Sequence, residues 1–234
     1  LTDVTGVQTC ALPISLDATW NPSPGDTVVE LPVFRHRARE FRQHPDWVER
    51  DYNDTTWDQV YAVRGGALFE HASPALLRGV LPPGAKAIER PLPLTGEYFL
   101  YVNGAEVARC IGTPAQSGTI DISKAVTGRG DVVAIETTSH SGPAGLDKPL
   151  RIVCGPVGVD RLQPWSAWNL PWYSGRVLYR THINTAEIQR QLRRFLDLGD
   201  VEHYVEVWLN GKRIDTRLWP PYRTELTGRL RDGE

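Results

Sequence analysis

The chain has 234 residues and a formal net charge of −2, which argues against a surface built for nucleic acid or anionic membrane. Hydrophobic residues make up 41% and charged residues 23%, an ordinary globular mix, and no apolar run approaches the ~20 residues of a membrane helix. With 21 Gly, 18 Pro, 8 Trp and 8 Tyr, the composition favours many short strands joined by turns over long helices.

The run Val4–Ile14, VTGVQTCALPI, matches the translation of a common DNA-sequencing adaptor. Residues 1–15 are therefore expected to be a non-native segment that contributes nothing to the fold. The chain contains no Met and is expected to be a fragment of a longer protein. Strands are then expected at Trp57–Tyr61, Ala67–His71, Ile88–Leu92, Tyr98–Val102, Glu106–Arg109, Thr119–Ile122, Val132–Thr137 and Leu150–Val153. Turn residues separate them, including Gly65-Gly66, Pro82-Pro83-Gly84 and Ser141-Gly142-Pro143. Only Pro74–Arg78 and Ala186–Arg194 carry a brief helical pattern. Further on, Leu162–Tyr179 gathers Trp165, Trp168, Trp172 and Tyr173. Such a cluster fits a platform for the apolar face of a sugar ring, and equally a packed wedge between two modules. The loop Trp219-Pro220-Pro221-Tyr222 is stiff and aromatic and reads the same two ways.

The chain repeats itself once. Glu97–Val107 (EYFLYVNGAEV) resembles Tyr204–Ile214 (YVEVWLNGKRI). Each is an alternating strand, an Asn-Gly pair and a return strand, the strongest short signal for a hairpin with a type I′ turn. Ile120–Val126 (IDISKAV) matches Thr224–Leu230 (TELTGRL), Arg90–Leu94 precedes the first hairpin as Phe195–Gly199 precedes the second, and Leu68–His71 stands for Leu178–Thr181. Four elements in one order at nearly constant offset imply two tandem modules of roughly 100 residues each. The expected fold is all-β: a first antiparallel sandwich over 16–161 and a second over 162–234, C-terminally truncated, with at least one strand missing and an unpaired edge.

Alternation turns Tyr98, Leu100 and Val102 inward in the first hairpin, and Val205, Val207 and Leu209 in the second. Tyr101 and Trp208 then share one outward position, where they would either stack on a sugar or lie under a loop or neighbouring domain. Trp172, Trp208, Trp219 and Tyr101 are the candidate carbohydrate-binding residues, because a pyranose offers an apolar C–H face to an aromatic ring. Cys110 and Cys154, outside the adaptor-like run, lie in no CxxC motif and near no His at ligand spacing. They read as buried thiols, with a disulfide left open. A glycosidase needs two carboxylates across one bond. Asp51 with Asp54, and Glu206 with Glu225, are the available pairs, but acids near turns ordinarily solvate or cap. No G-x-S-x-G elbow and no phosphate-binding glycine loop is present. No catalytic residue is assigned.

The runs Tyr101–Gly104 (YVNG), Thr119–Ser123 (TIDIS), Gly130–Ile135 (GDVVAI) and Gly142–Leu146 (GPAGL) resemble the galactose-binding-like jelly rolls of large bacterial glycoside hydrolases. Trp172–Gly175 (WYSG), Val207–Lys212 (VWLNGK) and Trp219–Tyr222 (WPPY) resemble the sandwich that follows them. The nearest likeness is to accessory domains of family 106 α-L-rhamnosidases and of the family 2 β-galactosidase group. Trp47–Trp57, WVERDYNDTTW, is similar to the opening of the family 2 sugar-binding domain. The resemblance implies a non-catalytic region with carbohydrate as ligand, no cofactor beyond an optional structural calcium, and secretion or periplasmic export. It implies too that the catalytic carboxylates belong to a separate (β/α)₈ barrel of ~250 residues, a partner domain in the same chain. Three functions follow: a carbohydrate-binding pair, a purely structural buttress of the barrel, or a free-standing lectin-like fragment.

Overall fold

The computed structural model describes residues 2–8, 21–24, 28–38, 45–63, 66–69, 74–113, 116–128, 130–139, 142–156, 165–168, 172–173, 176–183, 193–199, 201 and 203–230. The chain divides into two compact units. One, the first module, is Thr27–Gly155; the second module combines Leu1–Asp26 with Pro156–Glu234.

In chain order the second module supplies β1 (Thr2–Gln8) and β2 (Asn21–Pro24). The first module supplies β3 (Val28–Leu31), β4 (Val33–Ala38), β5 (Asp58–Tyr61), β6 (Ala67–Phe69), β7 (Ala75–Val80), β8 (Ala85–Glu89) and β9 (Leu94–Thr95). It continues with β10 (Glu97–Val102), β11 (Ala105–Cys110), β12 (Thr119–Asp121), β13 (Val132–Thr138), β14 (Ala144–Leu146) and β15 (Leu150–Cys154). The chain then returns to the second module with β16 (Val177–Ile183), β17 (Phe195–Asp197), β18 (Val205–Leu209), β19 (Lys212–Arg217) and β20 (Arg223–Glu225). Described helical structure is confined to two short 3₁₀ turns, Pro45–Val48 and Trp165–Trp168. The protein is an all-β assembly of antiparallel sheets, as the turn-rich composition and strand spacing imply.

The first module's main sheet runs β11-β10-β13-β7-β4-β5, with a second sheet of order β12-β8-β15-β3 and a small one of order β6-β14-β9. Its core is built from alternating strand positions: Leu31, Phe34, Leu77, Ile88, Leu100, Ile135 and Ile152 are at most 1% exposed. Burial of each such side chain stabilises by roughly 1.5–3 kcal/mol. Pro74–Arg78, read above as briefly helical, lies instead at the start of β7. Ala, Leu and Arg are good helix formers, but intrinsic propensity is worth only tenths of a kcal/mol per residue, and pairing with β4 and β13 on both sides overrides it. Most of the other helical stretch, 186–192, lies outside the described residues.

The second module's sheet runs β19-β18-β1-β16-β2, with β17 and β20 paired beside it. Here two expectations are corrected. Residues 2–8 take part in the fold: β1 pairs with β16 over Thr2–Gln8 and with β18 over Val4–Gln8. Residues 21–24, assigned above to the first sandwich, pair with β16 as well. The physical reason is that the facing backbone edges of Val205–Leu209 and Val177–Ile183 need hydrogen-bond partners, and an N-terminal segment supplies them through its own backbone whatever its sequence.

The two Asn-Gly hairpins correspond closely. Asn103 and Asn210 both have φ of +48°, followed by Gly104 at +86° and Gly211 at +76°, as a type I′ turn demands. Both hairpins also carry a register shift at matching places, between Leu100 and Tyr101 and between Val207 and Trp208. Tyr98, Leu100 and Val102, and Val205, Val207 and Leu209, are all buried, so the inward rows are those the alternation predicts.

The first hairpin is anchored by a polar node. The Asn103 amide donates to Asp131 Oδ1 at 2.7 Å and to the Ala125 carbonyl at 2.9 Å, while Asn103 Oδ1 accepts from the Val132 N–H at 2.9 Å. Asp131, 3% exposed, also accepts from the Thr127 hydroxyl and N–H and from the Gly128 N–H. Burial pushes its carboxyl up, but donors from Thr127, Gly128 and Asn103 outweigh that and hold it below the ordinary value.

Candidate functional site

The outward face of the first hairpin is roofed. Trp47 from the 3₁₀ turn meets Tyr101 edge-on, with ring centroids 6.1 Å apart. Trp57 stacks on Trp47 at 6.3 Å, and Tyr52 meets Trp57 edge-on at 5.8 Å. Arg78, 2% exposed, projects from β7 and holds this roof. Its guanidinium donates to the carbonyls of Trp47, Glu49 and Tyr52 and to Asp54 Oδ2 at 2.9 Å, and it lies over the Tyr52 ring. The run WVERDYNDTTW is thus a clamp around one buried arginine. Tyr101 is half-buried beneath it.

In the second module Trp208 holds the equivalent position and is half-buried. Its indole N–H donates to Glu206 Oε2 at 3.3 Å, and Glu206 Oε1 accepts from Arg213 at 3.2 Å. Trp172 and Tyr173 pack against the module's own core, beside Trp165, Val177 and Tyr179. The Trp165 indole donates to the Tyr179 hydroxyl at 2.9 Å, and the Tyr173 ring sits 5.4 Å from Trp165. The side chain of Trp168 lies outside the described residues. Trp219 differs from all of these: it is 70% exposed, next to Leu218 at 56%. Its loop is braced from below. Buried Tyr222 donates through its hydroxyl to the His203 carbonyl at 3.2 Å. Asp215 accepts from Arg217 and Thr224, tying β19 to β20. Burial raises the Asp215 carboxyl, and the bonds from Thr224, Arg217 and the Thr216 N–H bring it below its ordinary value.

Of the four candidate aromatics, then, the structure leaves Trp219 open, packs Trp172 on a core, half-covers Trp208 and roofs Tyr101 in the other module.

A cleft of about 320 Å³ in the first module was not visible to sequence reasoning. Its walls are Pro91, Pro93 and Pro149 over buried Leu92, with Arg90, Asp147 and Lys148 among its charged lining. The Asp147 N–H donates to the Pro93 carbonyl, and Arg151 pairs with Glu89 at 2.6 Å across it. The only sequence signal is two proline-flanked stretches, RPLPL and DKPLR, far apart in the chain.

Three of the four acids in the candidate pairs are engaged in ion pairs. Asp54 is held by Arg78, Glu206 by Arg213, and Glu225 by two bonds from Arg193 at 3.1 and 3.0 Å. The Arg193 bond, with a second from Thr227, holds Glu225 below its ordinary value, the wrong direction for a general acid. Cys110 and Cys154 are free and buried, and burial pushes the Cys154 thiol up to about 12, which removes it as a nucleophile at neutral pH. Among the described residues no group of three or more His, Cys, Asp or Glu is gathered.

No family model matches the chain, and no curated protein matches it. Similar solved structures include a β-glucuronidase from an uncultured Clostridium sp., at 10% identity and a TM-score of 0.41, over 93% of this chain and 41% of that one. A Lactobacillus rhamnosus β-glucuronidase aligns at 14% identity and a TM-score of 0.38, over 88% of this chain and 38% of that one. The exo-β-D-glucosaminidase CsxA aligns at 10% identity and 0.42, over 86% and 33%. The chain spans well under half the length of each.

Proposed function

We propose that this chain is a non-catalytic, carbohydrate-binding β-sandwich region of a larger glycoside hydrolase, acting on rhamnoside- or galactoside-containing polysaccharide outside the cytoplasm. The motif resemblance suggests the parent. The observation that carries the binding role is Trp219, an indole 70% exposed on a loop stiffened by Pro220-Pro221 and pinned by Tyr222. An exposed, preorganised aromatic face suits the C–H face of a pyranose and loses little entropy on binding. A second reading, a structural buttress with no sugar site, is favoured by the burial of Tyr101 and the packing of Trp172.

Affinity electrophoresis in gels containing rhamnose- or galactose-rich polysaccharide separates the two. Under the binding reading the chain is retarded, and Trp219→Ala abolishes the retardation while the melting midpoint stays within a degree or two. Retardation that survives Trp219→Ala moves attention to the proline-walled cleft, tested next by Arg90→Ala. No retardation with any polysaccharide leaves the buttress reading standing.

A further inference from the structure

We infer that the space between β16 and β18 is a strand-accepting site, and that an extended partner peptide resembling Val132–Thr138 fits it better than β1 does. This goes beyond the carbohydrate reading and does not depend on it.

The argument rests on the correspondence of the two hairpin sheets. In the first module β13 lies between β10 and β7; in the second, β1 lies between β18 and β16, with the same antiparallel sense on both sides. Among the described strands β16 and β18 are joined through β1 alone, so the gap is one strand wide whatever fills it. The registers align position by position. Val133 stands opposite Val102 as Val4 stands opposite Leu209. Ile135 lies between Leu100 and Leu77, while Gly6 lies between Val207 and Tyr179. Thr137 lies between Tyr98 and Ala75, while Gln8 lies between Val205 and Val177.

The walls of the gap are thus apolar and buried: Val177, Tyr179, Val205 and Val207 are each at most 3% exposed. At the central position, where the first module places isoleucine, β1 brings a glycine, and a glycine inside a strand offers nothing to pack. At the next, where the first module places a β-branched threonine, β1 brings a glutamine opposite two valines. By register β1 supplies the backbone ladder, and by sequence it has Val4, Gly6 and Gln8 where the first module has Val133, Ile135 and Thr137. Strand addition draws affinity from the backbone ladder and specificity from alternate side chains. The occupant that completes both is an extended segment antiparallel to β18, with apolar or β-branched residues at three alternate positions.

The test uses the full chain and a fluorescein-labelled peptide of sequence DVVAIETT, that of Asp131–Thr138. Saturable binding is expected, at least tenfold tighter for Gly6→Pro, which unseats β1 by removing a strand N–H. Binding should be abolished in Gly6→Ile, which gives β1 the missing side chain and should raise the melting midpoint. In Gly6→Pro, added peptide should restore hydrogen-exchange protection to Val177–Ile183 and Val205–Leu209 while leaving β7 and β10 unchanged. Equal binding of a scrambled peptide, or Gly6→Ile that binds like the parent, overturns the inference. If Gly6→Pro fails to fold, the parent and Gly6→Ile decide the question. A Gly6→Pro dimer that excludes the peptide would assign the gap to a second copy of this chain and overturn the partner-peptide assignment.

Discussion

The hairpins at Asn103-Gly104 and Asn210-Gly211 share a turn, a register shift and an inward apolar row, but their surroundings are assembled differently. The first is flanked by β13, a strand close by in the chain, locked to the turn through Asp131, and roofed by a segment hung on Arg78. The second is flanked by a strand from the opposite end of the described chain. The difference separates two levels of information. Asn-Gly and an alternating row specify a hairpin by local chemistry. Which strand lies beside it, and what lies over it, depends on segments far away in sequence.

The comparison is broken most severely at Arg78. Arg78→Met leaves Asp54 unpaired and three carbonyls without their donor, and should cost about 3–5 kcal/mol. Urea unfolding should show this loss in the first module, with Trp165 and Trp172 in the second reporting an unchanged transition. A loss below ~1 kcal/mol would mean that the aromatic stack holds the roof unaided.

Next in size is Asp131→Asn, expected to cost about 1.5–3 kcal/mol near neutral pH, as for hydrogen bonds to a charged group. The folded-state value of Asp131 is lowered, so its stabilisation is complete above the ordinary value of 3.8 and is lost as pH falls through the lower folded value. Acid titration of the parent should therefore show a limb below pH 3.8 that the Asn variant lacks. A variant with the same acid limb would show that other carboxylates carry it.

Smaller effects are expected at the turns. Gly104→Ala and Gly211→Ala each place a Cβ at positive φ, a cost of about 1–2 kcal/mol. They should not be equal: a Cβ at Gly104 would press on the Glu49 carboxylate, whereas one at Gly211 meets nothing. In a double-mutant cycle, Glu49→Ala should recover the excess at Gly104, with a coupling above ~0.5 kcal/mol. Smallest of all, Trp219→Ala should change stability by no more than ~0.5 kcal/mol, since it is mostly exposed, whereas Trp47→Ala should cost about 3–5 kcal/mol.

Much of this architecture is legible in the sequence because its signals are local. The strands around both Asn-Gly pairs, the inward rows and the all-β class follow from period-two alternation and turn residues. What escaped depends on distance. The Trp165–Tyr173 cluster announces aromatic packing, but which core receives it is settled by β16, with Val177 and Tyr179. Arg78 looks like part of a short helix until β4 and β13 are seen on either side. The roof motif shows in the sequence as a pattern without its chemistry, because Arg78, the residue it closes around, lies beyond the motif. The proline cleft joins two loops whose only signal is composition. Residues 2–8 overlap an adaptor-derived run in sequence, yet backbone pairing depends on hydrogen-bonding capacity and not on where a segment comes from.

The strand order β18-β1-β16 also bears on when each module can form. The first module is contiguous, Thr27–Gly155, and sits in the chain between the two parts of the second. During synthesis at ~5–20 residues per second it can complete all its pairings while most of the second module is still unmade. The sheet around β1 must instead wait for Val205–Leu209, with Thr2–Gln8 already exposed for the whole interval. Closing so long a loop adds little to the equilibrium cost, because the penalty grows only with the logarithm of length. It does raise contact order, and with it the folding time. The second module should therefore fold last and spend longest with open strand edges.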